Sequence, residues 1–208
     1  MTTRRIAATP IFIKVFILAK GGDFERVICK RLGLWWAERD DIFWRSSNSG
    51  GRATIRRKVG KKTVGQCGDV AATDPIGLPL LDLVTIEIKR GYPKSNFHDL
   101  LDASPGGALN PFEKFIRQSI AAHTAAGSFA WLLIHKRDRR EPWVYFPSEL
   151  FKELRRVGAF ETIPPYCVKF RFLSKDDEPK IITVEGWHFE HFLMSITPDH
   201  VRRLGKEV

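Results

Sequence analysis

"LLDLVTIEIKRGY", residues 80–92, decides how this chain is read. Its aliphatic content reads as a buried strand, yet Glu87 and Lys89 stand two residues apart inside it. Side chains alternate across a strand, so Leu83, Thr85, Glu87 and Lys89 share one face while Val84, Ile86 and Ile88 face the core. A carboxylate and an ammonium therefore project from the same side of a rigid, half-buried strand. A cross-strand salt bridge accounts for that much. E-x-K alone has little specificity, because a chain of 208 residues contains on the order of one such match by chance.

The residues upstream raise its value. Asp69 follows Gly68 at the start of its own short strand, and two adjacent strands would set Asp69 beside Glu87. Two buried carboxylates repel unless a cation lies between them. Carboxylate and carbonyl oxygens suit Mg²⁺, with Mn²⁺ as a substitute, and such a site is completed by water and substrate phosphate. The carbonyl of Ile88 lies between the two side chains as a further ligand. Lys89 would then orient a water or stabilise charge developing on phosphate.

Composition agrees with a polyanionic partner. Lys and Arg number 34 against 24 acidic residues, a net charge of +10 that favours nucleic acid. The stretch "GRATIRRKVGKKTVGQCG" supplies Arg52, Arg56, Arg57, Lys58, Lys61 and Lys62 without one acid, and its glycines predict a basic hairpin. Cys29, Cys67 and Cys167 are an odd, widely spaced set with no C-x-x-C pair, which argues against disulfides or structural zinc and for a reducing cytoplasm. Near the start, Pro10 opens and Lys14 interrupts an apolar run too short to span a bilayer, so we read residues 1–20 as an arm packed on the domain, with no membrane role. No G-x-x-x-x-G-K-[ST] occurs, and no nucleotide cofactor is expected. His188 and His191 in "HFEH" lack a third ligand nearby and read as satisfied structural histidines.

The remaining elements follow from periodicity. Asp23 caps a helix after two glycines and Gly33 ends it, with Phe24, Val27, Ile28 and Leu32 on the buried stripe and Glu25 at its edge. "DIFWR" is a strand that leads into a Ser/Asn/Gly turn. "PFEKFIRQSIAAHTAAG" is a helix begun by Pro111 and stopped by Gly127. "FAWLLIHK" and "WVYFP" are strands joined by "RDRREP", and Ser148 caps a short helix that Gly158 stops. "CVKFRFLS" and "IITVEGWHFEHFLM" are two further strand-like runs before a last helical turn.

Taken together, "GD" at Gly68-Asp69 and "EIK" at Glu87 to Lys89 resemble the PD-(D/E)xK nuclease superfamily, without the proline of its name. The likeness is closer to archaeal-type Holliday junction resolvases and their phage relatives. Those proteins carry "ER" early in the first helix, a strand ending in arginine, an "SG" turn, then the D…ExK strands. Glu25-Arg26, Arg45, Ser49-Gly50 and Asp69…Glu87-x-Lys89 stand in that order over roughly residues 20 to 146. The sequence departs from that pattern in the basic hairpin between turn and aspartate and in the last 60 or so residues.

The resemblance implies that Asp69 and Glu87 hold metal and that Lys89 serves as base partner or charge stabiliser. Glu25 would be an auxiliary acid, while Ser49, Arg45 and Arg26 position the scissile phosphate, with Arg90 extending the DNA surface. It implies an α/β restriction-endonuclease-like core, with a mixed central sheet flanked by helices, over residues 21–147. That core carries the hairpin insertion 51–66, and residues 148–208 form a C-terminal α+β elaboration packed on it. The expected activity is Mg²⁺-dependent hydrolysis of DNA by a homodimeric resolvase of branched DNA in the host cytoplasm. A sequence-specific or nicking endonuclease is the alternative within the enzymes, and a non-catalytic DNA-binding protein the alternative outside them.

Overall fold

A computed structural model describes residues 21–46, 67–92, 95–102, 109–161, 166–174 and 180–208. The arm 1–20, Ser49 and the basic stretch with Arg52, Arg56, Arg57, Lys58, Lys61 and Lys62 lie outside the described residues.

Helix α1 (Gly21–Ala37) comes first, followed by β1 (Phe43–Arg45) and β2 (Val70–Ala72). A 3₁₀ turn at Pro75–Gly77 and the short helix α2 (Leu78–Leu83) lead directly into β3 (Val84–Arg90). Next come α3 (His98–Leu101), α4 (Pro111–Ala126), β4 (Ala130–Lys136), β5 (Trp143–Pro147) and α5 (Ser148–Arg156). The chain ends with β6 (Cys167–Leu173), β7 (Ile181–His188), α6 (Phe189–Ser195) and α7 (Pro198–Leu204).

Five strands form one mixed sheet in the order β3-β4-β5-β7-β6, and β1 pairs with β2 in a small antiparallel ribbon. Only β3 and β4 run parallel, linked by α4 as the crossover helix, while the other ladders are antiparallel. Strands β7 and β6 extend the sheet that begins at β3, so the C-terminal residues share its core.

Helices cover both sheet faces. Phe24, Ile28, Ile86, Ile134, Phe146, Trp187 and Phe189 lie in the cluster beneath α1 and the C-terminal helices. Phe112, Phe115, Ile116, Leu133, Tyr145 and Phe170 form the cluster beneath α4. This is the α/β architecture expected of a restriction-endonuclease-like core. Among the described residues, no helix is long and apolar enough to cross a membrane.

Several local expectations change. Residues 78–83 are helical, so Leu83 closes α2 and packs with Val84 and Ile86 instead of sharing the face of Glu87. Proline at the second position of "LPLLDL" suits a helix start, where its missing N–H is no loss. Gly33 sits inside α1 rather than ending it, and Asp23 lies in its first turn. A Cβ at Gly33 would stand 2.4 Å from the Arg39 carbonyl oxygen, so glycine there admits the returning chain. Ser148 is not the cap of α5. Pro147 holds that position, and the Ser148 hydroxyl donates to Glu185 Oε1 at 2.8 Å. "HFEHFLM" is mostly helix, because the strand ends at His188. Trp35 and Trp36 pack at the end of α1: Trp36 Nε1 donates to the Ile76 carbonyl at 2.6 Å and Trp35 Nε1 to that of Ile196 at 3.2 Å.

Helix α4 behaves as its sequence predicts. Asn110 accepts from the Phe112 amide at 2.8 Å, Pro111 opens the first turn, and Gly127 ends the helix at φ 73°.

Candidate active site

Position 68 needs glycine twice over. Its φ is +80°, a left-handed conformation that a side chain strains, and a Cβ would lie 2.6 Å from the Ile86 carbonyl oxygen. With that close approach allowed, the Asp69 amide donates to the Ile86 carbonyl at 2.8 Å. The Asp69 carboxylate then takes the next ladder position, Oδ2 accepting from the Ile88 amide at 2.7 Å. Ser46 holds the other side of this junction, its hydroxyl donating to the Gly68 carbonyl at 2.7 Å and its amide to the Asp69 carbonyl at 2.9 Å. Asp69 is thus fixed against the free edge of β3 by backbone geometry.

Glu87 and Lys89 reach the same place from β3. Lys89 Nζ lies 3.0 Å from Glu87 Oε2 and 3.8 Å from Asp69 Oδ2. Gln118 of α4 also donates to Glu87 Oε2 at 3.0 Å. The strand was expected to be half-buried, but α4 covers this face and leaves Glu87 only 3 % exposed.

The electrostatics follow from that burial. Desolvation first, then the charge of the neighbouring Asp69 carboxylate and a hydrogen bond to it, lift the Glu87 carboxyl to about 7 against the pull of Lys89. Lys89 is held above its ordinary value because Glu87 and Asp69 outweigh its own desolvation. Two carboxylates packed together out of water mark a place that favours a cation.

Glu25 of α1 joins the group. Its pKa is raised by burial and then by Asp69, while Arg45, Lys89 and Arg26 oppose the rise. Arg45 Nε stands 3.2 Å from Glu25 Oε2, an ion pair without hydrogen-bond alignment, since that oxygen is buried with no hydrogen-bond partner. Gly22 makes room for this arginine, because a Cβ there would lie 2.8 Å from Arg45 Nη1. Cys29, one turn beyond Glu25, is fully buried and its thiol is pushed up to about 12 by burial, with Glu25 and Asp69 adding to it. It is a packing residue in this state.

The structure therefore gathers Glu25, Arg45, Asp69, Glu87 and Lys89 at one sheet edge. The amide of Ile88 is committed to Asp69. Arg26 bonds Asp23 at 2.8 Å on the exposed side of α1. Arg90 lies on the opposite face of β3 from Lys89, its guanidinium 5.9 Å from the Phe24 ring centroid and Nε 3.9 Å from Asp138 Oδ1.

Gln118 and Ser46 escaped the sequence reading. Gln118 sits on a helix whose pattern speaks only of its apolar stripe, and Ser46 stands three residues before Ser49-Gly50 in the sequence. No short-range signal marks either one. The histidine pair also differs from expectation. His188 and His191 have ring centroids 5.0 Å apart, and both Nδ1 atoms are buried without a hydrogen-bond partner. They are not satisfied, because α6 begins between them and turns both rings toward aromatic neighbours, Trp143 and Tyr166.

The donor set at the sheet edge fits a hard divalent cation. Asp69 and Glu87 supply two carboxylates whose mutual repulsion a cation would relieve. Among the described residues, no cluster of three or more His, Cys, Asp or Glu forms a ready metal cage. The remaining positions would therefore fall to backbone oxygen, water or substrate phosphate, as Mg²⁺ commonly accepts.

Residues 18–203 match the family model described as "Phage putative PDDEXK endonuclease". The match runs well past residue 146, through β6 and β7. No curated protein and no solved structure matches the chain.

Proposed function

The chain belongs to this phage PDDEXK endonuclease family, and from that premise we propose that it is a Mg²⁺-dependent DNA endonuclease that resolves branched DNA as a homodimer in the host cytoplasm. The observation that carries the metal-dependent chemistry is the convergence of Asp69, Glu87 and Lys89 at one buried edge. The preference for branched DNA is supported by the order Glu25-Arg26, Arg45, Asp69, Glu87, Lys89 and by the placement of Glu25 near Asp69. Symmetric cutting of a junction needs two sites related by a two-fold axis, hence the dimer.

Asp69 and Glu87 would hold the cation, which when bound supplies Lewis acidity and makes water a nucleophile at neutral pH. The residues of the chain do the positioning. Ile88 fixes Asp69, and Gln118 fixes Glu87. Lys89 carries a positive charge at the point where negative charge grows on the phosphate. Glu25 and Arg45 form a flanking pair that can exchange its partner for a phosphate oxygen or a water.

The test uses a labelled four-way junction, a linear duplex of the same sequence and supercoiled plasmid, each with Mg²⁺ and with EDTA, beside Asp69→Asn. Paired symmetric cuts in the junction alone, lost in EDTA and in the variant, are expected. Cutting of duplex or plasmid with junctions ignored would replace the resolvase by a restriction or nicking enzyme. Binding without cutting in either Mg²⁺ or Mn²⁺ would overturn the catalytic assignment. A monomer at working concentration by sedimentation would overturn the dimer.

A further inference from the structure

The turn between β4 and β5 carries Arg137, Arg139 and Arg140, all exposed. Register fixes where it stands. β3 and β4 are parallel with Lys89 opposite His135 and Arg90 opposite Lys136, so the chain enters the turn beside the carboxyl end of the strand that bears Glu87 and Lys89. Arg137 is the first residue after β4, two residues beyond His135. The charge of Arg137 is felt there. After burial, it is the second influence pushing the His135 imidazole down, to about 4. Four residues separate Arg137 from Leu133, the partner of Glu87, or about 13 Å at ~3.3 Å per residue. That is the rise of about four base pairs.

Two observations distinguish this turn from an ordinary solvated one. Its acids, Asp138 and Glu141, are exposed, and each also acts on residues of the adjoining strands. Asp138 Oδ1 is 3.9 Å from Arg90 Nε, and the charge of Glu141 acts on Lys136 and His188. Among the described residues, no ion pair engages the side chains of Arg137, Arg139 or Arg140. Arg139 also sits at φ 58°, where glycine or asparagine is the easier residue. The turn thus presents three exposed arginines that no carboxylate among the described residues pairs.

We propose that this turn is a DNA-backbone clamp, in which Arg137, Arg139 and Arg140 hold phosphates of the duplex arm whose scissile phosphate lies at Glu87 and Lys89. The proposal rests on the nuclease function above and adds where the substrate leaves the site. The contacts carry charge and no base information, so the clamp acts on every sequence alike.

The experiment measures binding of a fluorescent duplex and a four-way junction as a function of salt, in the Asp69→Asn background so that DNA stays intact. The triple variant Arg137→Ala, Arg139→Ala, Arg140→Ala is compared with its parent, with thermal melting as a check on folding. Each lost phosphate contact lowers the slope of log K against log salt by about 0.9, so the expected reduction is about 2.7. The parent then loses about 40-fold more affinity than the variant over a fourfold rise in salt. A triple lysine variant should restore the slope. Equal slopes for parent and alanine variant would overturn the clamp while leaving cleavage by the unmodified protein untouched. Absence of cleavage by the unmodified protein would overturn the nuclease function instead, so the two failures are separable.

Discussion

Replacing Glu87 by glutamine should make the metal-free protein more stable at alkaline pH. Burial and the Asp69 carboxylate hold the folded-state Glu87 at about 7 against an ordinary 4.5. The fold therefore prefers the protonated acid. Below about pH 4.5 both folded and unfolded chains bind the proton and the full stability is present. Between 4.5 and 7 the unfolded chain releases its proton while the folded chain keeps it, so stability falls through this window. Above 7 the loss is constant at about 3 kcal/mol. Glutamine keeps an oxygen to accept from Lys89 and Gln118 but has no charge to bury. The variant should match the parent near pH 4.5 and exceed it by up to about 3 kcal/mol at pH 8.5, or about 6–12 °C in Tm for a chain of this size. Urea unfolding followed by tryptophan fluorescence in EDTA, from pH 4.5 to 8.5, measures this directly. Adding Mg²⁺ at pH 8.5 should recover stability in the parent and little in the variant. Parallel pH profiles for the two proteins in EDTA would refute the reasoning, because Glu87 would then be no more protonated when folded than when unfolded.

Other consequences are equally direct. Gly68→Ala places a Cβ 2.6 Å from the Ile86 carbonyl oxygen at φ +80°; we expect a loss of about 1–2 kcal/mol or more and a larger fall in cleavage as Asp69 shifts, read by melting and by junction cutting. Gln118→Leu removes the donor to Glu87 Oε2 and should slow cleavage about tenfold or more at unchanged DNA affinity, in keeping with loss of one charge-assisted hydrogen bond. Trp36→Ala empties a site that is 2 % exposed and tied to Ile76, with a stability loss of about 3–5 kcal/mol by denaturant titration.

The catalytic strand was legible because period-two alternation is local: Glu87 and Lys89 share a face wherever the strand lies. Helix α4 was legible for the same reason, since Pro111 and Gly127 act on their own neighbours. The partnership of Asp69 with Glu87 came from motif order, and the structure supplies its cause in the Gly68 turn against Ile86. Two of the misses arose where residues beyond the local pattern had intervened. Gly33 reads as a stop until the Arg39 carbonyl is seen to lie against it. Ser148 reads as a cap until Glu185, 37 residues away, takes its hydroxyl.

The sequence by itself determined the charge balance, the strand that bears the chemistry and the residue types of the site, all properties carried by neighbours in the chain. Only the tertiary structure decided that Glu87 is buried, that Gln118 reaches it from the crossover helix, and that β7 and β6 complete the same sheet. Desolvation and cross-strand register depend on which remote segments meet, and no local pattern encodes that meeting.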